Sequence, residues 1–178
     1  MPLMHLFIKF VHLPNVKMKQ RSLFLLVLFF SLQNISAAEL PQYSTGFDPA
    51  RDAFADGRDA IKRARASDRL ILIELGGDWC KWCHKFEHFL NKNPDVKKEL
   101  HDTFVLLKVN VSDENYNEEF LKVFPRPYGY PHMYITKSTG ELLHSKDTGQ
   151  FVVKGQYSAQ KFKEFFKRWN MAKKVVQK

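Results

Sequence analysis

The 178-residue chain has only two cysteines, so no disulfide framework holds it together and any cystine has one local purpose. Glycine and proline number eight each, too few for a collagen-like or low-complexity chain. No internal repeat is present. Long apolar runs are also missing. The main block, Leu23 to Leu32, has ten residues. As a helix it rises only about 15 Å, roughly half a bilayer, which argues against a permanent span. Basic residues are scattered, with a small cluster at Lys173, Lys174 and Lys178, and no dense stripe of the kind nucleic-acid binding needs. What remains is 44% hydrophobic and 26% charged. That is too apolar for a disordered chain and too charged for a polytopic membrane protein. The length suits one domain with its own core.

The first 38 residues contain no acid. Lys17, Lys19 and Arg21 precede the apolar block and Ser36-Ala37-Ala38 follow it. A basic flank, a short apolar centre and small residues at the end form the pattern of a secretory signal. Residues 1–38 are therefore read as a signal peptide cut after Ala38, with a retained anchor as the alternative and Met18 as a second possible start. This segment holds four of the 28 Lys and Arg, so the remaining chain has 24 bases against 19 acids, a net charge of +5. Export places the protein in a periplasmic or secreted setting, where a close thiol pair cycles or stays oxidised.

Residues 39–47 read as an irregular lead-in and 48–178 as the folded domain. Asp48-Pro49 is a helix start, and Ala50, Phe54, Ile61 and Ala64 form one stripe, predicting an amphipathic helix over 49–66. Leu70 to Leu75 is an apolar strand broken by a single acid, Glu74. A helix runs from Cys80, with Trp82, Phe86, Phe89 and Leu90 inward, until Asn93-Pro94 ends it and opens a short helix to about 101. Phe104 to Val109 is a second strand. A helix over 115–124 is expected to turn Tyr116, Phe120, Val123 and Phe124 inward. Met133 to Thr136 and Glu141 to His144 flank a hairpin turn. Ser158 caps a last helix with Phe162, Phe165, Phe166 and Trp169 inside. This order predicts an α/β fold, a sheet of about four strands with helices on both faces.

The chemistry is concentrated in Trp79-Cys80-Lys81-Trp82-Cys83-His84, where the first strand gives way to a helix. Two cysteines three apart at a helix start can close a small disulfide. The first sulfur lies near unpaired backbone N–H groups at the positive helix end, which favours its thiolate, and Lys81 adds a positive charge. Cys80 is the expected nucleophile and Cys83, one turn in and less exposed, the resolving thiol. Rival readings exist. Cys80, Cys83 and His84 also spell a c-type haem attachment motif, although an apolar strand runs straight into it. Cys80, Cys83, His84 and His88 could ligate zinc, but no second cysteine pair exists. An inert structural disulfide is the remaining option.

Four stretches, ILIELGGDWCKWCHKFE (71–87), PDVKKEL (94–100), FVLLKVNVS (104–112) and GYPHMYITKSTGEL (129–142), together resemble the thioredoxin superfamily. Within it, the chain is similar to the periplasmic C-terminal domain of the bacterial thiol–disulfide interchange reductases and to single-domain secreted thioredoxin-like proteins. The resemblance covers about residues 50 to 170. It implies a thioredoxin-like fold with a central mixed sheet, and disulfide exchange with no cofactor beyond the Cys80–Cys83 pair. It also implies protein disulfides as substrates, a membrane redox partner, and a monomer.

Pro131 falls where the superfamily keeps a cis-proline facing the sulfurs, leaving the Tyr130 backbone to pair with a substrate strand. Glu74 matches a buried acid near the resolving cysteine. Burial would raise its pKa and let it accept the Cys83 proton through a water. Trp79 matches a flat contact beside the first cysteine, and Lys81 and Trp82 stand where many relatives have Gly-Pro. Trp82 is read as either core or partner-facing. His132 is expected to point outward, with stabilisation of a thiolate as the alternative, and His84 and His88 are expected to lie on the surface. A thioredoxin-fold chaperone or adaptor with a dispensable cysteine pair is the competing function.

Overall fold

The computed structural model describes residues 46–177; the expected signal at 1–38 and most of the lead-in lie outside this range. Helix α1 spans Ala53–Ser67, strand β1 Leu70–Gly76, helix α2 Lys81–Lys92, helix α3 Pro94–Thr103 and strand β2 Phe104–Asn110. A single turn α4 (Glu118–Leu121) follows, then strands β3 (His132–Thr136) and β4 (Leu142–Asp147). A 3-10 turn over Thr148–Phe151, two-residue strands β5 (Val152–Val153) and β6 (Gln156–Tyr157), and helix α5 (Ala159–Val176) complete the order.

The main sheet has order β2-β1-β3-β4. β1 runs parallel to β2 and antiparallel to β3, and β3 is antiparallel to β4. This is the mixed four-stranded α/β sheet the sequence leads one to expect. β1 and β2 are apolar on both faces because helices cover both, and every residue of each is buried. One face packs Leu70, Leu72, Phe104 and Leu106 against α2, α3 and α5, with Phe86, Phe162 and Phe166 at the centre. The other packs Ile71, Ile73, Leu75, Val105 and Leu107 under α1. Each fully buried side chain of this size contributes about 1.5–3 kcal/mol relative to exposure.

Several elements differ from the sequence reading. α1 starts at Ala53, because Asp52 rather than Asp48 caps it, accepting from the N–H groups of Phe54 and Ala55 at 2.8 and 3.2 Å. Its buried stripe is Ala53, Asp56, Ala60 and Ala64, and Phe54 is half exposed. The helix expected over 115–124 is reduced to one turn with no buried residue, and Tyr116 and Val123 are exposed. β4 extends to Asp147, and the small β5–β6 hairpin has no counterpart in the sequence reading. The hairpin turn after β3 contains Gly140 at φ 91°, a left-handed conformation that suits glycine. Ser158 caps α5 through the Lys161 N–H.

Candidate active site

β1 ends at Gly76, and the chain turns through Gly77 and Asp78 into α2. Cys80 occupies the N-cap of that helix. Its N–H donates to the Gly77 carbonyl at 2.9 Å, and its Sγ accepts from the Cys83 N–H at 3.1 Å. The Cys83 N–H also donates to the Cys80 carbonyl at 3.0 Å, so the Cys80 sulfur shares an amide of the first helical turn. Cys80 and Cys83 are joined in a disulfide, with Cα atoms 5.2 Å apart. Both are 3% exposed in this oxidised form, so the expected difference in their exposure is absent here.

Gly76 is required by close approach. A Cβ at that position would stand 2.5 Å from Cys83 Sγ and 2.7 Å from the edge of the Phe47 ring. The resolving sulfur thus rests directly on the backbone at the end of β1. Two residues earlier on the same sheet face lies Glu74, 1% exposed, with its Oε2 unpartnered. Burial raises its pKa to about 7, while Lys108 pulls it down and Glu87 pushes it up. Lys108 is its register neighbour in β2 and pairs with Glu87 at 2.8 Å. Tyr157 faces the same group. Its phenol is pushed up to about 12, first by burial, with the Thr148 hydrogen bond opposing and the Glu74 charge adding.

The Tyr130–Pro131 bond is cis. The Pro131 carbonyl accepts from Thr148 Oγ1 at 2.6 Å, which ties this backbone to the turn after β4. Trp79 is 56% exposed, with its Nε1 donating to the Val111 carbonyl at 2.7 Å and its ring edge-on to Tyr130 at 5.4 Å. Trp82 is half-buried, edge-on to Tyr157 and capped by Lys85 Nζ 4.1 Å from its ring centre. Lys81, His84 and His88 are exposed, and His84 Nε2 lies 2.7 Å from the Asp78 carbonyl oxygen.

His132 corrects the sequence reading. It is fully buried, with Nε2 2.8 Å from Ser145 Oγ and Nδ1 unpartnered. The reason is parity. β3 begins at His132, so its side chain shares a face with Tyr134, whose ring lies 4.9 Å away. Burial lowers its pKa, against the opposing charge of Asp147.

Sequence reasoning also missed Lys108, Glu87, Thr148 and Tyr157. The first had a signal. A lone Lys in Phe104–Asn110 and a lone Glu in Leu70–Gly76 are opposite charges in two apolar strands, and such charges need each other. Thr148 and Tyr157 are brought in by tertiary packing alone.

Residues 52–138 match the family model described as thioredoxin-like. The fold of this chain is thioredoxin-like. It is similar to the thiol:disulfide interchange protein DsbD of Citrobacter koseri, 32% identical over 94 residues, which are 51% of this chain and 16% of that protein. The Colwellia psychrerythraea protein of the same name is 26% identical over 109 residues, 60% of this chain and 18% of that one. The chain thus spans about a sixth of the length of these curated relatives. A disulphide isomerase from Xylella fastidiosa Temecula1 shares the fold, with TM-score 0.58 and 20% identity over 68% of this chain and 94% of that one. So does the DsbD C-terminal domain of Neisseria meningitidis in its oxidised form, with TM-score 0.50 and 18% identity over 66% and 95%. The Cys80–Cys83 disulfide is the kind of group through which thioredoxin-like, DsbD-type domains work without a cofactor. Among the described residues, no group of three or more His, Cys, Asp or Glu side chains is placed to hold a metal, and no helix is long and apolar enough to cross a membrane.

Proposed function

We propose that the protein is an exported thiol–disulfide oxidoreductase that passes electrons to protein disulfides through Cys80 and Cys83. The observation that carries this reading is the disulfide at the mouth of α2, resting on Gly76 with the buried acid Glu74 on the same face. In the reduced protein the Cys80 thiolate attacks one sulfur of a substrate disulfide. A mixed disulfide forms and one substrate thiolate leaves. Glu74 accepts the Cys83 proton, by way of a water. The Cys83 thiolate then attacks Cys80 Sγ, the second substrate thiolate leaves, and the Cys80–Cys83 disulfide closes. The substrate gains two electrons and the protein loses two. Tyr130 and cis-Pro131 offer backbone for the substrate strand, and Trp79, Lys81 and Trp82 border it.

Likeness to the interchange proteins favours a reductant or relay over a primary oxidant. A reductant of this kind is recharged by a membrane redox partner. Export is supported by residues 1–38, read as a signal peptide ahead of a domain from 48 to 178.

The test is reduction of a protein disulfide such as insulin. Cys80→Ser should abolish it, and Cys83→Ser should accumulate mixed disulfides; unchanged turnover in Cys80→Ser defeats the proposal. The reduction potential gives the direction. A value near about −270 mV marks a reductant and one near about −120 mV an oxidant.

A further inference from the structure

We infer that the disulfide lies in a charge-polarised trough that selects an extended polypeptide carrying basic residues on one side of its reacting cysteine and acidic residues on the other. This rests on the exchange reaction proposed above and names the class of substrate for that site.

Three clefts share walls along the motif. Beside Trp79 is a cleft of about 640 Å³, walled by Trp79, Tyr116 and Tyr130 and edged by Asp78, Asp113 and Glu114. Beside cis-Pro131 is a second, of about 350 Å³, between Tyr130, Trp82 and Tyr157. Beyond Trp82 is a third, of about 210 Å³, where Trp82 and Tyr157 meet Lys85, His88 and Lys92. Tyr130 belongs to the first two, and Trp82 and Tyr157 to the last two. The clefts therefore adjoin through shared aromatic walls, and although neither cysteine lines them, the motif from Trp79 to Trp82 stands between the acidic cleft and the basic one.

The charges along this path are sorted by sign. The chain has 28 Lys and Arg against 19 acids, yet the first cleft has three acids and no Lys or Arg in its lining. The third has two lysines, a histidine and no acid. Two groups moderate the middle. Asp147 lines it, with its carboxylate accepting the Gly149 N–H at 2.9 Å, and Arg126 is close enough to act on the Tyr130 phenol. Asp113 accepts the Tyr116 hydroxyl, and Asp78, Asp113 and Glu114 are all exposed. A small ligand would fill one cleft. Aromatic walls along the whole path, with opposite charges at its ends, suit a strand laid across the disulfide. Complementary exposed charges act mainly through orientation and encounter rate, and salt screens them.

The test uses two disulfide-linked peptides of equal length and composition. One has lysines before its cysteine and glutamates after, and the other has the reverse order. The reduced full-length chain should discriminate between them by about fivefold or more in kcat/KM at low salt, the scale of a few exposed charge pairs. The preference should shrink toward unity at high salt. In the double variant Glu114→Lys, Lys92→Glu, the preference should shrink toward unity, because two acids then face one lysine in the first cleft and one lysine faces one glutamate in the third. Equal rates for both peptides at low salt, or a preference that salt and the double variant leave in place, overturn the inference. Reaction with an uncharged disulfide, 2-hydroxyethyl disulfide, separates the two levels. If it proceeds while the peptides react equally, only the polarity fails. If it does not proceed, the exchange reading fails and takes this one with it.

Discussion

Glu74→Gln in the oxidised protein isolates the buried acid, because the joined sulfurs do not titrate. Glu74 rises from an ordinary 4.5 to about 7, chiefly through burial. The folded state therefore keeps a proton that the unfolded state has already released. Stability must fall as pH climbs between these two values and level off above the upper one. The displacement corresponds to about 3 kcal/mol. Glutamine replaces the protonated carboxyl at nearly the same shape and cannot ionise. Urea unfolding of both proteins from about pH 4 to about pH 8 gives the difference directly. The gap should start near zero and open to about 3 kcal/mol in favour of the variant at the alkaline end. Groups common to both proteins, Lys108 and Glu87 included, largely cancel. A gap that stays constant, or one that widens in favour of wild type as pH rises, refutes the reasoning.

The same substitution should cost function where it gains stability. Without a carboxylate, Cys83 has no local proton acceptor when it attacks the mixed disulfide. Rapid mixing of the reduced protein with a peptide disulfide should show a normal first step and a resolving step slower by about 100-fold, the low end of general-base effects. A variant that resolves at the wild-type rate removes Glu74 from the proton path, whatever its stability curve does.

Gly76→Ala places a methyl 2.5 Å from Cys83 Sγ, so the sulfur or Phe47 must move. The oxidised protein should lose about 1–3 kcal/mol in urea unfolding, and an unchanged midpoint would dispose of the close-packing argument. His132, held below its usual pKa by burial, gives stability that is complete above about 6.5 and lost as pH falls through the folded value. His132→Gln should flatten the acid side of the stability curve, and the same acid loss in both proteins would contradict it. Phe162→Ala empties the centre of the aromatic cluster formed with Phe86, Phe151 and Phe166. It should lower stability by about 3–5 kcal/mol, read from the denaturant midpoint, and a loss below 1 kcal/mol would mean the core closes over the gap.

The strands were legible because Leu70 to Leu75 and Phe104 to Val109 are apolar on both faces, and only a doubly covered sheet needs that. The motif was legible because its chemistry is tied to residue type, and Pro131 because the resemblance to the thioredoxin superfamily places a cis-proline there. The segment 115–124 misled. Its aromatic spacing is helical, but its asparagines bind backbone instead. Asn115 donates to the Pro49 carbonyl and accepts the Asn117 N–H, Asn117 donates to the Asn110 carbonyl, and Asn117 sits at φ 50°. Such side chains compete with helical amides, and Pro125 then removes the room for another turn. His132 was illegible for a different reason. Strand parity is fixed by where β3 begins, and GYPHMY reads equally well in either phase.

β1 explains why the site is where it is. Leu70 and Leu72 point into the aromatic core, and the same alternation brings Glu74 and then Gly76 to that face. A continued apolar pattern would have put a large side chain at 76, where no Cβ fits beneath the Cys83 sulfur. It would also have put a hydrocarbon at 74, where the proposed mechanism calls for a proton acceptor. The acid is costly there because α2, α5 and the β5–β6 hairpin have already sealed the core, and Lys108 offsets only part of that cost. The two breaks in one apolar strand are therefore a single feature. The glycine admits the sulfur, the acid serves it in the proposed mechanism, and the stability lost on ionising Glu74 is the measurable trace of that arrangement.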